Sequence, residues 1–365
     1  MQTRLLAFAV ASLAATPAFA QSSVTVFGVM DIGYTYTDDA GRDGKSMSQI
    51  ESGVNRVNKI GFTGTEELGN GRKATFLLEQ GFSLDTGEGP RNYTWLQSFV
   101  GLSDARLGQI NAGRIYDFTY NLIPYLACSN CGLFAVQNAD LDRVSGNRFN
   151  NAVQYRSPRI AGFSFGAMYA QDERSLPTQL AVPQRATSFM VDYWNGPFKA
   201  LLVNSNLKDV FIPASVVGTE TLLGVRTGLH DARPPLFKLD EQNIYGAGLA
   251  YTIGPVTPKL LYTETRMELG GEKASNRNLN VGAEWQVTPA VVLSAKYAHD
   301  RLEGSKWDSV SLGADYALSK RTILYVETTQ QKADGEGTVA SIGKAPAPAS
   351  DDRQAVYRMG VRHSF

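Results

Sequence analysis

The chain has few cysteines, few histidines and no surplus of either charge, and each shortage removes a class of protein. Two cysteines in 365 residues make at most one bridge, so a scaffold held by many disulfides is excluded. Lys plus Arg number 35 and Asp plus Glu number 35, a balance without the basic footprint of a nucleic-acid binder. Three histidines, His230, His299 and His363, leave little imidazole for base catalysis. No segment beyond the N-terminal region approaches the roughly twenty apolar residues of a membrane helix. The mean hydropathy of −0.19 suits a water-soluble protein, but equally a membrane barrel, half of whose strand residues face water. Periodicity has to separate the two.

Residues 1–20 have the organisation of an export signal, and residues 21–365 are left to form one domain. Arg4 gives the positive start, Leu5 to Ala15 an apolar stretch too short to span a bilayer, and Ala18-Phe19-Ala20 a small-x-small cleavage site. Beyond it, apolar residues recur at every second position in segments of about ten, the period of a strand with two unlike faces. Tyr245, Ala247, Leu249 and Tyr251 alternate with Gly246, Gly248 and Ala250; Leu279, Val281, Ala283 and Trp285 alternate with Asn280, Gly282 and Glu284. Two more such segments hold Leu293 to Tyr297 and Val310 to Tyr316, and the last sets Tyr357, Met359 and Val361 against Arg358, Gly360 and Arg362.

Connections alternate between short turns and long polar loops. The long ones are expected near 35–55, 83–92, 115–148, 171–186, 205–242, 264–276, 299–306 and 330–353. Eight long loops joined by seven short turns predict sixteen antiparallel strands with both termini on the short-turn side. That is an all-β transmembrane barrel with long external loops and short periplasmic turns. Closure is required because every backbone N–H and C=O within hydrocarbon must be paired inside the protein. A barrel of this size is too wide for side chains to fill, so its small and charged inner face should border water and need no core. A soluble sandwich would have to bury more than a dozen apolar strand faces without a helical layer or disulfides.

Parity places Lys199, Lys259, Lys296, Arg358 and Arg362 on the inner face, with Asp31, Asp192, Glu284 and Asp315. A charge facing lipid would cost about 2–4 kcal/mol at mid-bilayer. The third long loop, about 115–147, follows Arg114 and carries Asp117, Asp140, Asp142 and Arg143. Within it, Cys128 and Cys131 form C-x-x-C; in an oxidising compartment, and without a second pair or a nearby His, a local disulfide is the better reading than a metal site. Gly162 to Gly166 fits the G-x-S-x-G hydrolase pattern, but Ser164 lies within a strand pattern where that chemistry needs a strand-to-helix turn. The long loop 205–242 reads as a packed surface loop, and 343–349 as the mobile tip of the last one.

The segments SSVTVFGVMDIGY (22–34), KIGFTGTEELGNG (59–71), FLLEQGFSLDTG (76–87), RFNNAVQYRSPRIAGFSFGAMY (148–169), YALSKRTILY (316–325) and GVRHSF (360–365) resemble the trimeric general porins of Gram-negative bacteria, specifically the beta-proteobacterial type similar to neisserial porins. The resemblance implies a homotrimer in the outer membrane, among lipid and lipopolysaccharide. The third loop would fold inward to narrow the lumen, with basic wall residues opposed by acidic loop residues. Lys59 and Arg148 match the family's wall cations, Glu79 its inward glutamate, and Phe365 its signal to the barrel-insertion machinery. Leu96 stands where a third basic residue is expected, a departure that argues against strong anion selectivity. The implied activity is passive diffusion of small hydrophilic solutes and ions, without cofactor, metal or nucleic acid. The alternatives are a channel selective for a substrate such as an organic anion, an outer-membrane hydrolase, or an added receptor role of the loops.

Overall fold

The computed structural model describes residues 23–89, 95–128, 130–171 and 185–365. The expected export signal, parts of the second and fourth long loops, and Ser129 of the third lie outside the described residues. The wall is a closed antiparallel sheet of sixteen strands. In chain order these are β1 (Ser23–Asp38), β2 (in two pieces, Met47–Ser52 and Lys59–Gly69), β3 (Arg72–Gly81), β4 (Gln97–Asp104) and β5 (Gly108–Tyr116). Then come β6 (Arg148–Arg156), β7 (Phe163–Gln171), β8 (Arg185–Asn195), β9 (Phe198–Ile212), β10 (Phe237–Tyr251) and β11 (Val256–Leu269). The last are β12 (Glu272–Thr288), β13 (Val291–Leu302), β14 (Ser305–Ala317), β15 (Thr322–Asp334) and β16 (Arg353–Ser364). β16 pairs with β1 from Val29 opposite Ser364 to Asp38 opposite Ala355, which removes the open edges. Gly28 and Phe365 exchange two backbone hydrogen bonds of 3.1 Å at that seam.

The apolar stripes lie on the outside. Tyr245, Leu249, Leu279, Val281, Trp285, Leu312 and Met359 are all exposed, while their neighbours Ile244, Asn280, Ser311 and Arg358 are buried inside. A single charge placed on the outer stripe tests this assignment. Val281→Arg, in mid-β12, is expected to destabilise the barrel by about 2–4 kcal/mol, read from the urea midpoint of folding into lipid vesicles. An unchanged midpoint would mean that this face does not meet lipid.

Three expectations need correction. First, 264–276 and 299–306 are strand, not loop: β11 and β12 turn at Gly270-Gly271, and β13 and β14 at Glu303-Gly304. Beyond the bilayer both faces are wet, so apolar alternation fades while the hydrogen-bonded ladder continues. Facing charges such as Glu268 and Lys273, 3.1 Å apart, support it. β9 and β10 are extended in the same way, leaving a loop of only 213–236.

Second, the inner face does have a core. Over β7 to β11 the inward positions include Met190, Leu201, Val203, Leu207, Ile244 and Leu261, and all are buried beneath the third loop. Third, 343–349 is no mobile tip. Ala340 and Ala349 are fully buried, Trp307 Nε1 donates to the Val339 carbonyl at 2.9 Å, and Ser341 Oγ donates to the Val216 carbonyl at 2.8 Å. The last loop and 213–236 thus pack together over the third loop.

Candidate functional site: the narrowed lumen

Loop 3, residues 117–147, leaves the wall after β5 and lies inside the barrel as three short 3-10 turns. Its first turn, Phe118–Tyr125, buries Phe118, Leu122 and Tyr125 against β8 to β11. Gly246 and Gly248 of β10 make that approach possible. A Cβ on Gly246 would lie 2.4 Å from Leu122 Cδ1, and one on Gly248 would lie 2.5 Å from Tyr125 Cγ.

The far end of the loop is clamped by a feature the strand pattern concealed. Between the two pieces of β2, residues 53–58 leave the wall and turn inward, because β1 pairs with Ser52 at Ile32 but with Lys59 at Val29. Leu133 N–H donates to the Val54 carbonyl at 3.0 Å, and Asn55 Nδ2 donates to the Asn130 carbonyl at 2.7 Å. Cys128 and Cys131 are joined by a disulfide within this clamped end, with both sulfurs buried. Replacing both with serine is expected to raise open-channel current noise by loosening the loop tip. Identical traces would remove any stiffening role for the bridge.

The candidate cations fall into two groups. Arg358, Lys259 and Lys296 are buried. Arg358 sits among Asp31, Glu51 and Glu327 at 3.4, 3.5 and 3.6 Å, Lys259 pairs with Glu284 at 2.8 Å, and Lys296 donates to the Ala135 carbonyl of loop 3. Lys296, and Lys259 through the Leu126 carbonyl at 3.5 Å, tie loop 3 to the wall, whereas Arg358 ties wall strands to one another. The second group borders the space that loop 3 leaves open. Lys59 pairs with Glu79 at 2.6 Å, and Arg114 donates to Asn150 Oδ1 at 2.5 Å and to the Trp95 carbonyl at 2.8 Å. Arg148 lies 4.5 Å over the Tyr116 ring, which stacks on Tyr120 at 4.0 Å. Arg362 pairs with Asp315 at 3.0 Å and also bonds Asn55. Lys199 is exposed at the short-turn rim.

Sequence reasoning missed Arg56, which lies on the inward 53–58 segment within electrostatic range of Arg362 and Tyr120. The signal was present: Gly53 to Asn58 breaks apolar alternation between two stretches that both pair with β1.

The acidic residues of loop 3 do not oppose these cations. Asp117 and Asp142 are 1% and 2% exposed, turned into the loop and the wall behind it. Thr119 Oγ1 donates to Asp117 at 2.6 Å, Thr263 Oγ1 to Asp142 at 2.8 Å, and Ser145 N–H and Oγ to Asp140 at 3.1 and 2.5 Å. The physical reason is that a folded-in loop must satisfy its own turn N–H groups and the wall hydroxyls, and short carboxylates do so. Burial pushes the Asp117 carboxyl up to about 6, and it raises Asp142, with the charge of Asp140 adding to the effect. The sign follows from linkage. A carboxyl raised by burial favours the docked loop at pH below its ordinary value of 3.8, and that contribution is lost as pH climbs through about 6. Loop fluctuations, read as open-channel noise, should therefore grow from about pH 4 to about pH 7. Asp117→Asn should flatten the response; a noise level independent of pH in the wild type would contradict it.

Ser164 is buried within β7 and donates to the Ser157 carbonyl at 3.2 Å, so the G-x-S-x-G pattern runs along a strand. Among the described residues no group of His, Cys, Asp and Glu side chains could hold a metal ion.

A closed barrel, a lumen narrowed by an inward third loop and a cation-lined gap define a channel, and comparison with known proteins agrees. The profile of the Gram-negative porin family matches residues 7–336. The chain belongs to the Gram-negative porins. Outer membrane porin protein 32 of Delftia acidovorans is 28% identical over 380 residues, covering 100% of each chain. Major outer membrane protein P.IB of Neisseria meningitidis serogroup B is 28% identical over 377 residues, covering 97% of this porin and 98% of its own length. Among solved structures, an anion-selective porin from Comamonas acidovorans superposes with a TM-score of 0.76 at 24% identity, covering 94% of this chain and 100% of its own. OmpT of Vibrio cholerae, solved in a trimer form, gives 0.68 at 14% identity, covering 94% and 99%. The porin is thus an outer-membrane channel protein whose aqueous path runs past loop 3.

Proposed function

We propose that this porin is a passive diffusion channel for small hydrophilic solutes, without covalent chemistry or cofactor, that favours anions and works as a homotrimer. The observation that carries the ion preference is the surplus of Arg56, Lys59, Arg148 and Arg362 over the two carboxylates paired among them, Glu79 and Asp315. In a narrow passage with low-dielectric walls such a surplus raises the local anion concentration. Arg56 adds a cation that the strand pattern does not show, while Leu96 adds none. The trimer rests on likeness to proteins such as OmpT, and barrel insertion through Phe365 on the family resemblance.

Liposome swelling with neutral sugars of increasing size tests the general character of the pore. Swelling should slow smoothly with solute size and not saturate with concentration. Saturable uptake of one sugar would overturn it. The detergent-solubilised porin should run at three times its monomer mass before heating; a monomer would refute the assembly.

A further inference from the structure

One aromatic side chain stands on the wrong face for a membrane girdle. Along β8, Ala186, Ser188, Met190 and Asp192 are buried inside while Phe189 is exposed outside, so Trp194 shares the inward parity. It lies within electrostatic reach of Tyr125 of loop 3, yet it remains 48% exposed. It lies at the short-turn end, beyond the narrowing, where a solute arriving from the periplasm meets it first.

Two cations lie over its ring, and a third stands next to them. Arg159, in the turn between β6 and β7, holds its guanidinium 4.5 Å from the ring, and Lys199, the cross-strand partner of Trp194, holds its ammonium at 5.2 Å. Arg156 lies beside them: it and Arg159 share the buried carboxylate of Asp192, with Arg156 at 3.1 Å. Asp192 therefore fixes both guanidinium groups but offsets only one of three charges. Both Arg side chains stay partly open to the lumen. Arg159 and Lys199 lie over the ring, yet Trp194 keeps nearly half of its surface open, and ion solvation alone needs no such indole.

We propose that Trp194, Arg156, Arg159 and Lys199 form a docking subsite for planar aromatic carboxylates on the periplasmic side of loop 3. The solute ring stacks on the open indole surface while its carboxylate meets the cations. This rests on the reading of the lumen as a conducting path and adds a substrate class to it.

Planar-bilayer recording with benzoate added to the periplasmic side tests the subsite. Cyclohexanecarboxylate, of equal charge and similar size but without a π face, is the control. Benzoate should block the chloride current saturably, and cyclohexanecarboxylate several-fold more weakly. Trp194→Leu should weaken benzoate block about tenfold, the order expected for loss of one aromatic stack, and Trp194→Phe should retain most of it. Block is normalised to each variant's own open current. Equal block by the two carboxylates overturns the proposal even if no variant assembles, and so does unchanged benzoate block in Trp194→Leu. Current in KCl alone reports separately on the channel itself, so a conducting pore without block fails the subsite and leaves the channel standing.

Discussion

Replacing Arg56 and Arg148 together with glutamate turns the reversal potential in a salt gradient from the anion side to the cation side. Each substitution changes the local charge by two units. The two positions lie on different parts of the open gap, one on the 53–58 segment and one at the start of β6 beside the Tyr116–Tyr120 stack. Neither side chain is a partner in the Lys59–Glu79 pair, whose disruption would leave a buried carboxylate unpaired and confound selectivity with stability. With a tenfold gradient, ideal selectivity for one ion corresponds to about 59 mV, so a swing of tens of millivolts is expected. It should shrink in molar salt, where the screening length falls to about 3 Å. A reversal potential that keeps its sign would mean that the selective charges lie elsewhere.

Removing the apolar anchor of loop 3 should have an equally large effect on pore size. Leu122 is fully buried between loop and wall, and truncating such a residue to alanine typically costs about 2–5 kcal/mol. The loop is otherwise held by the Val54 and Asn55 clamp and by buried polar contacts. Leu122→Ala should therefore leave the barrel intact but let the first turn of the loop lift. Single-channel conductance should rise and become noisy, and loop 3 should become open to protease in the folded protein. Gly248→Leu, which forces Tyr125 away from the wall, should act in the same direction. Native conductance and protease resistance in both variants would show that the apolar contact does not set the aperture.

The barrel was legible because its outer stripe must be apolar over the whole bilayer thickness, and Leu279, Val281 and Trp285 report that with a period of two. What was not legible follows from the same physics. Where the ladder leaves the membrane, as at Glu268 and Lys273, no apolar stripe is required and strand reads as loop. Where loop 3 covers the wall, Val203 and Leu202 are both apolar on opposite faces, and alternation cannot reveal which meets lipid and which meets the loop. Charge type alone also misled. Asp117 and Asp142 look like a lumen field, but their short side chains serve the loop's own hydrogen bonds, and only tertiary contact separates that use from the other. Parity found Lys199, Lys259, Lys296, Arg358 and Arg362, and the family resemblance Lys59 and Arg148, but neither found Arg56, whose segment leaves the strand altogether.

The most direct test is to record single channels of the purified porin in a planar bilayer under a tenfold KCl gradient. A water-filled, cation-lined lumen predicts discrete, stable conductance steps and a reversal potential displaced toward chloride. No steps, or a displacement toward potassium, would contradict it.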